Sequence, residues 1–94
     1  MLVSKTVWRY AIPVADDFTL MMPKGARPLC IQVQDDIPCL WALVDPTQQE
    51  VGRRFRLAGT GHPLTYDTET ILIHIDTFQI EDGALVFHIF EVLP

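Results

Sequence analysis

The residues with the most chemical promise are Arg53, Arg54 and Arg56, which lead directly into Gly59-Thr60-Gly61-His62. Closely spaced backbone N–H groups in a glycine turn form an anion-binding nest, and arginine is the side chain best suited to gripping phosphate with two hydrogen bonds. A loop follows, running to about Glu69, and long loops flanked by glycine are where ligand contacts concentrate. With Lys24 from a second turn, the candidate ligand set is Lys24, Arg54, Arg56, Gly59, Thr60, Gly61 and His62. The chemistry would be the holding of a nucleotide or another small anion. A plainer reading competes: Arg54 and Arg56 solvate one strand face and pair with the excess acids. G-T-G also lacks the lysine and the following helix of a phosphate loop.

Other chemistries fit less well. The histidines are His62, His74 and His88, and no H-x-H or C-x-x-C pair marks a zinc site. Cys30, Cys39, His74 and His88 would converge on a metal only with a favourable sheet order, so no metal and no cofactor is expected. The alternative is that His74 and His88 sit on adjacent strands of a half-exposed face, each hydrogen-bonded locally. Neither cysteine lies at a helix start or on a loop that would lower its pKa, and both read as buried free thiols. Asp16-Asp17 and Asp35-Asp36 are neighbours in turns, whereas acid–base work needs carboxylates in different environments across a cleft. An enzyme, if there is one, would be a small phosphodiester hydrolase using His62 or His88 with Glu91 nearby.

The elements that position these residues are strands. Leu29 to Val33 alternates, Asp35-Asp36 interrupts, and Ile37 to Val44 is almost wholly apolar. Alternation marks a strand with one buried face, and an apolar run of about eight suits a strand buried on both. Ile37–Val44 is therefore the expected central strand, with Trp41 as the largest anchor of the core. Lys5–Val14 alternates with Val7, Arg9 and Ala11 on one side and Trp8, Tyr10 and Ile12 on the other, ending at Pro13. Phe18–Met22 is a short strand in preference to a helix, because two turns before Pro23 are marginal. Pro23-Lys24-Gly25 turns the chain. Glu50–Ala58 points Arg53, Phe55 and Leu57 one way and Arg54, Arg56 and Ala58 the other. Thr70–Ile80 turns Ile71, Ile73 and Ile75 inward, Glu81-Asp82-Gly83 makes a hairpin, and Ala84–Leu93 closes the chain. The sum is a single all-β domain over residues 1–94, a small antiparallel β-sandwich or partly open barrel of six to seven strands.

Composition bounds the rest. The chain has 94 residues, 49% of them hydrophobic, with a net charge of −5. That acidity argues against nucleic acid, which rewards clustered Lys and Arg. So much apolar material in so short a chain calls for a partner, most simply a second copy in a homo-oligomer. No stretch approaches ~20 uninterrupted apolar residues, so no membrane helix is expected. The N-terminal MLVSKTVWRY lacks the apolar core of a signal peptide. The cytoplasm is the expected compartment.

Several stretches together carry a resemblance. They are Met22-Pro23-Lys24-Gly25-Ala26, Cys39 to Pro46 (CLWALVDP), Gly59-Thr60-Gly61-His62-Pro63, Thr77-Phe78-Gln79 and Gly83 to Glu91 (GALVFHIFE). Across most of its length the chain resembles a family of short proteins encoded by phages and by prophages in bacterial genomes. Members often carry Asn-Gly where this chain has Asp35-Asp36. The resemblance implies no catalytic residues. It implies a non-enzymatic accessory protein of the host cytoplasm, one that binds a host defence or regulatory protein or sequesters an anionic, nucleotide-like ligand. A structural or assembly protein of the phage is the other alternative.

Overall fold

Period-two alternation broken by turn formers resolves into seven strands. They are β1 (Thr6–Ala11), β2 (Asp17–Pro23), β3 (Arg27–Gln34), β4 (Ile37–Val44), β5 (Glu50–Gly59), β6 (Ile71–Ile80) and β7 (Leu85–Leu93). A computed structural model describes residues 1–94, all β and without helix. One antiparallel sheet has the order β1-β4-β3 and the other β2-β5-β7-β6. They form a small sandwich that does not close into a barrel.

Turn chemistry sets the register. Gln34 pairs with Ile37, leaving a two-residue hairpin in which Asp35 and Asp36 have φ of 51° and 63°. Both central residues are left-handed, the type I′ pattern that matches strand twist. Across the β6–β7 loop, Glu81, Asp82 and Gly83 are all left-handed, and Ile80 pairs with Leu85.

The sheets meet along β3 and β6. The Ile31 N–H donates to Asp76 Oδ2 at 2.7 Å, and the Glu81 N–H donates to Asp36 Oδ1 at 3.3 Å. Both contacts join residues 45 apart in sequence, so β3 and β6 run side by side in one direction. Asp76 reaches β3 because β6 bulges between His74 and Asp76, and a bulge re-aims a side chain.

Inside, Met22, Leu40, Val44, Phe55 and Ile89 are fully buried. Each such side chain contributes about 1.5–3 kcal/mol. Phe18 stacks on Phe55 with centroids 5.6 Å apart.

Two expectations about the core need correction. β4 is the central strand of its sheet, but Trp41 is not the anchor. Pro38, Leu40, Ala42 and Val44 take the inner positions, and Trp41 lies half-buried on the outer face opposite Cys30. A run apolar on both sides does not reveal which side faces the other sheet. Ile71 and Ile73 are likewise 55% and 45% exposed. Their ladder partners are Leu93 and Glu91, where the apolar interior gives way to the ion pair between Glu91 and Arg53.

Candidate functional site

Parity along β5 decides where its arginines go. Arg53, Phe55 and Leu57 face the other sheet, as the alternation requires; Arg54, Arg56 and Ala58 face outward. Arg53 is thus removed from any surface site. Its Nη2 donates to Glu91 Oε1 at 2.9 Å, its Nε donates to Oε2 at 2.5 Å, and its Nη1 donates to the Ala26 carbonyl at 2.8 Å. Hydrogen bonding to Glu91 is the main reason the Arg53 guanidinium is held charged to a still higher pH than usual.

Arg56 faces the loop. Its Nη1 donates to the Thr65 carbonyl, and its Nε stands 3.5 Å from Asp17 Oδ1. The guanidinium therefore pins the 62–69 segment against β5.

The turn beyond it is built on two glycines. Gly61 has φ of +82°, a conformation that L side chains rarely adopt. At Gly59 the requirement is space: a Cβ there would lie 3.0 Å from His62 Nδ1. The imidazole rests on the Gly59 backbone, and the His62 N–H donates to the Gly59 carbonyl at 3.1 Å.

His62 separates two cavities. One, of about 250 Å³, is walled by Thr60, His62 and the start of β7 from Ala84 to Phe87. The other, of about 170 Å³, lies on the opposite side among Asp16, Arg56, Ala58 and Leu64. Gly59 and His62 belong to both.

Next to the turn, on the outer face of β6 and β7, runs a chain of alternating hydroxyls and imidazoles. Thr60 Oγ1 lies 2.7 Å from His88 Nε2, His88 Nδ1 lies 2.9 Å from Thr77 Oγ1, and Thr77 Oγ1 lies 3.1 Å from His74 Nε2. His74 also meets Phe90 edge-on at 5.5 Å. The two histidines thus occupy adjacent strands and are satisfied locally.

Of the seven sequence candidates, Arg56, Gly59, Thr60 and His62 line the cavities, and Gly61 shapes the turn between them. Arg54 is exposed, one ladder step back and opposite Thr19. Lys24 is not part of the site: its N–H donates to the Gln49 carbonyl at the far end of β5, roughly 30 Å away along the ten-residue strand.

Two chemical possibilities are overturned. His88 and Glu91 are three apart on one strand and project to opposite faces, and Glu91 is committed to Arg53, so they form no catalytic pair. Cys30 and Cys39 lie on the outer face of the three-stranded sheet, whereas His74 and His88 lie on the outer face of the four-stranded one. Those four cannot converge on a metal. The cysteines are free, each opposite a different residue, Trp41 and Gln32.

A family model described as a domain of unknown function, DUF7352, matches residues 3–94. The chain belongs to that family. No curated protein and no solved structure matches it. This DUF7352 domain has no helix long and apolar enough to cross a membrane.

Sequence reasoning missed the Ala84–Phe87 wall and the threonine bridge. The second was readable: counting back from the β6–β7 hairpin in steps places Thr77 opposite His88, as observed. The first was not, because it depends on β5 and β7 being neighbours.

Proposed function

We propose that this DUF7352 domain is a non-enzymatic binding protein that holds a small anionic, nucleotide-like ligand at the Gly59–His62 turn. The observation that carries this reading is the pair of cavities sharing His62. One wall is apolar, with Leu85 and Phe87, and suits a flat ring. The other offers Arg56, whose Nε and Nη1 are already oriented by Asp17 and Thr65. Each cavity alone is below the roughly 300 Å³ at which ligand pockets begin. Displacing the exposed His62 ring merges them into one cleft above that size. The nearby histidine pair favours binding over turnover, because both ring nitrogens of His88 are engaged by threonine hydroxyls. The resemblance to phage and prophage proteins supports the setting: an accessory protein in the host cytoplasm, acting as a homo-oligomer against a defence or regulatory system.

Calorimetry with adenosine monophosphate as the probe tests the ligand site. Saturable binding that Arg56→Ala removes and Lys24→Ala leaves unchanged supports it. Binding that survives Arg56→Ala, or none at all, removes the assignment.

A further inference from the structure

We infer that β1 pairs antiparallel with the β1 of a second copy, so that two three-stranded sheets join into one across a two-fold axis at Trp8. This names the surface for the self-association in the proposed function and is independent of its ligand site. The Ile12 N–H donates to the Pro38 carbonyl of β4 at 3.0 Å. Alternation along an antiparallel ladder then turns the N–H and C=O groups of Val7, Arg9 and Ala11 away from β4, to the open edge. β1 is an edge strand, since its sheet has the order β1-β4-β3. Natural edges are blunted by prolines, bulges or inward-pointing charges; β1 has none of these between Thr6 and Ala11.

The surroundings of this edge are apolar. Met1, Leu2, Val3, Val7 and Trp8 are all exposed, Trp8 at 37% although it faces the interior opposite buried Ala42. The whole chain exposes 6316 Å², against roughly 5,500 Å² for a monomer of its mass. The excess is close to the roughly 800 Å² that one partner contributes to a standard interface. The other free edge, β2, is closed by Pro23 at one end and by Asp17 beside Arg56 at the other.

Geometry also selects the register. Edge-facing residues must pair with edge-facing residues. An axis at Arg9 would set like charges opposite each other and carry the ladder into Pro13, which has no N–H. An axis at Trp8 pairs Val7 with Arg9 and Lys5 with Ala11, and lays the two indoles side by side on the inner face, a favourable cross-strand pair. Arg9 is already drawn back across β4, where its guanidinium donates to Gln34 Oε1.

Sedimentation velocity over a concentration series is the test. The wild-type chain is expected to be a dimer, and Val7→Pro to weaken it at least about tenfold, since a hydrogen bond is lost from each copy. The lost N–H is not one that β4 uses, so the fold tolerates the change. Trp8→Cys with Cys30→Ser provides a second measurement: on oxidation it should give a disulfide-linked dimer, because residues directly opposed in a non-hydrogen-bonded pair have Cα atoms about 4.5 Å apart, within the range a disulfide spans. A wild-type monomer at every concentration would overturn the inference. So would a dimer that is indifferent to Val7→Pro and is not cross-linked through Trp8→Cys.

Discussion

Arg53 and Glu91 meet inside the sandwich in a two-pronged ion pair, with Nη2 2.9 Å from Oε1 and Nε 2.5 Å from Oε2. The pair joins neighbouring strands β5 and β7, and the third guanidinium bond to Ala26 ties both to the β2–β3 turn. Their side chains are only 20% and 8% exposed. Removing one partner therefore leaves a largely desolvated charge behind. Glu91→Ala should cost about 3 kcal/mol, read as a lower urea midpoint with an unchanged slope. A midpoint that does not move would mean that the pair is solvated and structurally idle.

The turn at Gly59 carries a different dependence. A methyl group there pushes directly on the His62 ring at 3.0 Å. Gly59→Ala should displace the imidazole, open the way between the two cavities and strengthen adenosine monophosphate binding, with little change in thermal midpoint. Gly61→Ala acts on the backbone instead, forcing a left-handed φ on a residue with a Cβ, and should cost about 1–2 kcal/mol. Equal losses of stability in the two variants would contradict this division.

The Thr60–His88–Thr77–His74 chain should hold the turn against the sheet. Thr77→Val removes the shared hydroxyl and with it the contacts at 2.9 and 3.1 Å. Because these contacts are exposed, the expected destabilisation is only about 0.5–1 kcal/mol. Ring nitrogen shifts in NMR should show His74 and His88 each losing a hydrogen-bond partner, and amide exchange at Thr60 to His62 should speed up. Unchanged imidazole spectra would sink the idea that Thr77 bridges the rings.

Tyr10 gives the fold an alkaline signature. Burial first, and the Glu50 carboxylate second, hold its hydroxyl protonated above the ordinary tyrosine value of 10.0. A raised folded pKa means that the native state keeps a proton the unfolded chain releases. Stability present below pH 10 is therefore lost as pH climbs from the ordinary value toward the folded one. The hydroxyl also lacks any hydrogen-bond partner. Tyr10→Phe should raise stability at neutral pH by about 1 kcal/mol and flatten the decline above pH 10. A steeper alkaline decline in the variant would reverse the sign of this account.

Alternation and turn chemistry made most of this fold legible in the sequence. The inward set Arg53, Phe55 and Leu57 and the hairpin at Asp35-Asp36 follow from residue types alone, while the first strand stops at Ala11, two residues short of Pro13. Trp41 was not legible, because β4 is apolar on both sides and only the position of the second sheet distinguishes them. The β6 bulge, which aims Asp76 at Ile31, shows in the sequence only as a change of phase, from Ile71, Ile73 and Ile75 to Phe78 and Ile80. At the site, the Gly59–His62 turn could be read, whereas Lys24 could not be separated from it without knowing that β5 runs between them. The opposition of His88 and Glu91 needed only the rule that residues three apart on a strand face opposite ways.

The central claim is that the two cavities beside His62 form one ligand site. Its most direct test is a titration of isotope-labelled protein with adenosine monophosphate, followed through backbone amide shifts. Saturable shifts confined to Asp16, Arg56–Leu64 and Ala84–Phe87 are the predicted result. No saturation, or shifts centred on the Lys24 turn at the other end of β5, would contradict it.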